Sequence, residues 1–87
     1  MNYVYILKSQ KTEKLYIGFS NDLRKRLKSH NEGKNIATKA YAPFDLVYYE
    51  AYKSAKDARK REAQLKQFKQ AYTRLKERIL YSITEQN

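Results

Sequence analysis

Tyr3-Val4-Tyr5-Ile6-Leu7-Lys8 and Lys14-Leu15-Tyr16-Ile17-Gly18-Phe19 decide the fold of this chain. Both runs are rich in β-branched and aromatic residues, and polar Ser9-Gln10-Lys11-Thr12-Glu13 joins them, so they read as an antiparallel hairpin. Symmetric pairing about Gln10 and Lys11 sets Tyr5 opposite Tyr16. Downstream, Ser20-Asn21-Asp22 supplies N-cap side chains for a helix that ends near Asn31-Glu32-Gly33, where Gly33 can take the left-handed stop. Lys34 to Pro43 reads as a loop. Leu46 to Tyr52 is the third strand, with Val47, Tyr49 and Ala51 on one side and Leu46, Tyr48, Glu50 and Tyr52 on the other.

Ser54 caps the next helix, and the pattern stays helical to Ile83 without Gly or Pro. An uncapped helix of that length is unusual, so a break is predicted near Lys69 to Ala71. The expectation is one α/β (α+β) domain over residues 1–87, a small three-stranded antiparallel sheet flanked by helices.

Charge narrows the partner. The 19 Lys and Arg residues against nine Asp and Glu give a net charge of +10 over 87 residues. Both halves of the chain share the excess, so no detachable basic tail carries it. Such a field favours an anionic partner. The helical stretches lack the large apolar face of a membrane-surface helix, which makes nucleic acid the better reading. No apolar run approaches the roughly 18 to 20 residues that span a bilayer, and Met1 to Lys8 is too short for a secretory signal. Cysteine is absent, which excludes disulfides and a thiolate zinc site. A cytoplasmic protein, with no membrane partner, is expected.

Two basic segments contain odd residues. Glu62 is the only acid between Arg59 and Lys76, and a helical wheel places it between Ala55 and Ala58 on the apolar face, near Leu65. An inward carboxylate needs a partner, a hydrogen bond or a metal. Taken alone, an ion pair with Arg59 or Lys66 is the default. On the first helix, Leu23 and Leu27 form the inward stripe, with Arg26 and His30 beside it at i and i+4, while Arg24, Lys25 and Lys28 point elsewhere. Alone, these two read as an aliphatic stem over the core edge and a partly buried histidine.

Together, Tyr3-Val4-Tyr5, Tyr16-Ile17-Gly18, Leu23-x-x-Arg26-Leu27-x-x-His30 and Arg61-Glu62-Ala63-Gln64-Leu65-Lys66 resemble the GIY-YIG nuclease superfamily, above all its small stand-alone bacterial members. The likeness runs from Tyr3 to about Leu80. It implies phosphodiester cleavage with one divalent cation, Mg²⁺ (or Mn²⁺). By this resemblance Tyr5 and Tyr16 would sit side by side, one or both helping to activate the attacking water. Arg26 would bind the scissile phosphate, and His30 would relay a proton or orient the nucleophile. Glu62 would hold the metal, and Gly18 would clear space beside Tyr16.

The chemistry asks for the same types. A positioned water, a base and charge stabilisation on the non-bridging oxygens are needed, and Mg²⁺ held by one carboxylate keeps several waters and takes substrate phosphate. Two departures stand out: Tyr3 replaces the opening glycine, and Phe19 stands where some relatives carry a lysine. That basic contact is either missing or supplied by Lys8 or Lys39, and Thr38-Lys39, which resembles the Thr-Arg or Thr-Lys of this loop in relatives, is expected to touch substrate. The expected function is a Mg²⁺-dependent endonuclease acting on DNA more than RNA, in a setting such as DNA repair. Selectivity would come from a branched, nicked or damaged substrate or from a protein partner. The runner-up is a non-catalytic nucleic-acid-binding module on the same scaffold; a small basic protein-interaction domain comes third.

Overall fold

A computed structural model describes residues 1–85; Gln86 and Asn87, the end of the expected 1–87 domain, lie outside the described residues. Strand β1 (Asn2–Ser9) is the centre of a three-stranded antiparallel sheet, with β2 (Leu15–Ser20) on one side and β3 (Phe44–Tyr52) on the other. Helix α1 (Leu23–Asn31) follows β2, a 3₁₀ turn covers Lys39–Tyr41, and α2 (Ala55–Gln67), α3 (Lys69–Arg78) and α4 (Leu80–Thr84) follow β3. Alternation along β1 builds both layers. Val4 and Ile6 pack with Ala58 and Leu65 of α2, Leu75 of α3 and Ile79 just beyond it, whereas Tyr5 and Leu7 pack with Phe44 and with Leu23 and Leu27 of α1. With helices on both faces, Val4 to Leu7 form an unbroken buried run.

The hairpin pairs in a different register from the symmetric one. Tyr5 opposes Gly18 and Tyr16 opposes Leu7. The cause is Ser9, fully buried at the end of β1. Its hydroxyl accepts from the Lys11 and Thr12 amides and donates to the Tyr41 carbonyl. That widens the turn, which closes through the Ser9 amide on the Lys14 carbonyl with Glu13 in the left-handed region. The shift is an even number of residues, so each side chain keeps its expected face.

A bulge also interrupts β3. Ile6 pairs with Tyr48 but Leu7 pairs with Leu46, leaving Val47 as the extra residue. Leu46 therefore joins the Tyr5–Leu7 side and Val47 the Val4–Ile6 side, the reverse of strict alternation. The helix boundaries follow their caps. Asp22 accepts from the Lys25 amide, Gly33 has φ 72°, and Ser54 accepts from the Lys56 amide. The break in the C-terminal run falls at Phe68, just before the predicted Lys69 to Ala71, and a second interruption at Ile79 separates α4.

Candidate active site

Tyr5 is 2% exposed, and its ring lies across Gly18 on edge strand β2. A Cβ on Gly18 would fall 2.3 Å from both Cζ and the phenol oxygen of Tyr5. Glycine is required here by space, since any side chain would displace the ring; the ring it clears is that of Tyr5, its cross-strand partner.

The phenol oxygen of Tyr5 is 3.0 Å from His30 Nε2, and His30 Nδ1 is 2.8 Å from Thr38 Oγ1. His30 is 1% exposed and Thr38 fully buried. Both ring nitrogens are thus engaged, which fixes the imidazole plane. Burial, reinforced by the charge of Arg26, lowers the His30 pKa below its usual 6.5, so the ring is neutral at pH 7. The rings of Tyr16 and Phe44 complete its surroundings at 6.3 and 5.9 Å between centroids.

Arg26 and Glu62 join this group through their fields. Burial pushes the Tyr5 phenol up to about 12; Arg26 opposes this, while Glu62 and Tyr16 add to it. The Arg26 guanidinium approaches the phenol without forming a hydrogen bond of good geometry. Arg26 comes from α1 on one sheet face and Glu62 from α2 on the other, and the charges of both reach Tyr5 beside edge strand β2. On α2 the buried line is Ala58 and Leu65, and Glu62 lies at its margin while Ala55 is exposed. The Glu62 side chain is 20% exposed and pairs with Lys66 Nζ at 3.1 Å.

Of three further residues expected to touch nucleic acid, two are engaged elsewhere and one is free to do so. Thr38 has no surface to offer, and its hydroxyl serves His30 instead. Lys8 points to the opposite face from Tyr5, where its Nζ donates to the Ile83 carbonyl at 2.7 Å and tethers α4. Lys39 is exposed on the 3₁₀ turn. A basic group that sequence reasoning passed over stands at Phe19: the Arg59 guanidinium lies 4.2 Å from the ring centroid, a cation–π contact that brings it to β2.

Sequence reasoning also missed Glu50. This carboxylate accepts from the hydroxyls of Tyr48 and Tyr52 and from Nε and Nη2 of Arg61. The signal was available only in combination, since the spacing of Glu50 at i±2 from each tyrosine puts all three on one strand face.

Among the described residues no group of three or more His, Cys, Asp or Glu side chains is placed to share a metal ion. A cation here would have Glu62 as its single carboxylate donor. That donor set suits a hard, water-rich ion such as Mg²⁺ or Mn²⁺ and does not suit zinc.

Comparison with known proteins identifies the family. A family model described as the GIY-YIG catalytic domain matches residues 1–76. A UPF0213 protein of Clostridium perfringens is 46% identical over 67 residues, covering 76% of this chain and 71% of that protein. Another, from Syntrophus aciditrophicus, is 47% identical over 73 residues, covering 80% and 82%. The solution NMR structure of a UPF0213 protein from Bacillus halodurans is 34% identical, has a TM-score of 0.51, and covers 87% of this chain and 86% of its own. The chain belongs to the GIY-YIG nuclease family, alongside these UPF0213 proteins.

Proposed function

We propose that the protein is a metal-dependent endonuclease that hydrolyses phosphodiester bonds in DNA, with Tyr5, Tyr16, Arg26, His30 and Glu62 as its working residues. The observation that carries this reading is the hydrogen-bonded chain Tyr5–His30–Thr38 lying within the fields of Arg26 and Glu62.

A free phenolate at Tyr5 is unfavourable at neutral pH, because burial holds its pKa near 12. The neutral imidazole beside it removes that obstacle. When His30 Nδ1–H donates to Thr38, Nε2 is an acceptor and takes the Tyr5 O–H. Tyr5 can then accept a proton from the attacking water while passing its own to Nε2, and no phenolate forms. Thr38 is a positioning residue in this scheme, since its bond to Nδ1 holds the ring with Nε2 toward Tyr5. Tyr16 borders the same imidazole and narrows the space for the water. Arg26, exposed on α1, pairs with the non-bridging oxygens as charge develops on them. Arg59 on Phe19 and exposed Lys39 offer backbone contacts that fix position without reading sequence.

Glu62 would hold Mg²⁺ or Mn²⁺, which when bound polarises the phosphate and eases departure of the leaving oxygen. The exposed end of Lys66 can swing aside to release the carboxylate. No described helix is long and apolar enough to cross a membrane.

The test is cleavage of a fluorescent panel of linear, nicked, flapped and branched DNA and RNA with and without Mg²⁺, alongside Glu62→Gln. Metal-dependent products from the wild type, lost in Glu62→Gln while binding persists, are expected. Binding that falls steeply with salt but yields no product with any metal would assign the chain to the non-catalytic reading.

A further inference from the structure

Beside the candidate active site lies a second depression, of about 420 Å³, that the proposed chemistry leaves unused. Its wall is aromatic. Tyr3 and Tyr49 face each other across β1 and β3 with ring centroids 5.8 Å apart and planes at 70°, an edge-to-face pair. Such a pair leaves ring surface uncovered, and Tyr49 is 53% exposed. Leu27 of α1 supplies apolar floor, and Asn21, Asp22 and Arg24 form a polar rim. Apolar walls with a few convergent polar groups are the makeup of a ligand site.

We propose that this depression receives an unpaired nucleobase of the strand being cut, so that the enzyme selects nucleic acid with a flipped, flapped or single-stranded nucleotide next to the scissile phosphate. The inference rests on the nuclease reading above and adds a substrate class to it.

Position supports this occupant. Tyr3 precedes Tyr5 by two residues on the same face of β1, about 7 Å along the strand. A separate groove of about 360 Å³, lined by Arg26, Lys25 and Lys34, also has Asn21 and Asp22 on its wall. The two depressions therefore adjoin, and a strand with a phosphate at Arg26 can set a neighbouring base against the tyrosines. Chemistry distinguishes base from phosphate. One Asp22 carboxylate oxygen takes the Lys25 amide, and the other is left to accept from a ring or exocyclic N–H, which a base offers and a phosphate does not. Lys25, Arg26 and Lys34, by contrast, suit the backbone. Stacking on a tyrosine tolerates any base, which fits recognition of structure without sequence.

The probe is an oligonucleotide with one 2-aminopurine, offered unpaired in a DNA strand, unpaired in an RNA strand and fully paired in duplex DNA. Binding is followed by anisotropy and by 2-aminopurine quenching in EDTA, so that nothing is cut. Wild type should prefer the unpaired base and quench it, and the DNA and RNA arms identify which sugar is accepted. Tyr49→Ala should weaken that binding by roughly tenfold, as expected for loss of one stacking contact, and abolish quenching. Tyr49→Phe should retain both, and duplex affinity should not change. Tyr49 is half in solvent, so a melting curve matching wild type is expected and excludes misfolding as the cause. Equal affinity for paired and unpaired probes, or undiminished quenching in Tyr49→Ala, overturns the inference. Either result leaves the nuclease reading intact if metal-dependent cleavage persists; absence of any nucleic-acid binding overturns both.

Discussion

The molecule holds two clusters made from the same parts, a pair of tyrosines, an arginine and a glutamate, and it uses them in opposite ways. Helix α2 serves both. Adjacent residues Arg61 and Glu62 flank its buried line of Ala58 and Leu65, with Arg61 bound to β3 and the field of Glu62 reaching Tyr5, which lies over β2. At the β3 edge the parts satisfy one another: Glu50 takes two phenols and the fork of Arg61, a charge-assisted set that locks α2 to the sheet. At the β2 edge they do not. Glu62 has a single flexible lysine, and neither Arg26 nor Tyr16 makes a well-formed side-chain hydrogen bond among the described residues. Residue inventory alone therefore does not mark a reactive site. Spare hydrogen-bonding capacity around a buried, oriented imidazole is what separates the β2-edge cluster from the other.

The strongest way to break this contrast is Arg26→Ala. If Arg26 is the transition-state contact proposed, its removal should cut the rate by about two orders of magnitude or more. Exposed on α1 and without a locked partner, it should leave the melting temperature within a few degrees. A large fall in stability with an unchanged rate would mean that the β2-edge cluster is structural after all.

Glu50→Gln is the converse and should act on stability. It deprives Arg61 of its carboxylate at a site where the two side chains are only 26% and 16% exposed. A loss of about 1 to 3 kcal/mol is expected, which for a domain of this size lowers the melting temperature by roughly 10 °C. Its pH dependence has a definite sign. Burial raises the Glu50 pKa, but hydrogen bonds from Arg61, Tyr48 and Tyr52 outweigh it and hold the value below 4.5. A carboxyl whose pKa is depressed on folding stabilises the protein above its unfolded pKa and loses that contribution as pH falls through the folded one. Wild type should therefore lose stability below pH 4.5 more steeply than Glu50→Gln, as thermal melts across that range will show. Tyr48 and Tyr52, pushed up to about 12 by burial and by Glu50, reverse the sign, so their contribution is lost as pH rises from 10 to 12.

Much of this arrangement was legible in the sequence, and the failures have identifiable causes. The faces of β1 and β2 and the Asp22 and Ser54 caps follow from local signals that the fold preserves, whereas the grouping of Tyr5, Tyr16 and His30 was implied only by the resemblance to the GIY-YIG family. The hairpin register depended on the buried hydroxyl of Ser9, and a serine looks the same in a loop as at a strand end. Period-two alternation cannot announce the bulge at Val47. Thr38 was misplaced because only the tertiary fold carries the segment after α1 back over His30, turning a surface-type residue into a buried partner. Glu50 was overlooked because its ion partner lies on the next helix.

Lys66→Ala should have the smallest effect and sharpens the comparison most finely. An exposed lysine paired at i and i+4 with Glu62 contributes at most about 0.5 kcal/mol, so thermal melting should barely change. The ammonium nevertheless occupies the carboxylate that a bound cation would need. If Glu62 is the metal ligand, the Mg²⁺ concentration for half-maximal cleavage should fall a few-fold in Lys66→Ala, and Mn²⁺ binding followed by paramagnetic relaxation should tighten in parallel. A rise in both would instead make Lys66 part of the nucleic-acid surface, with its pairing to Glu62 incidental. The same truncation has no counterpart at Glu50, where Arg61 is integral to the fold. A side chain that can leave without cost to stability is what separates an available carboxylate from a committed one.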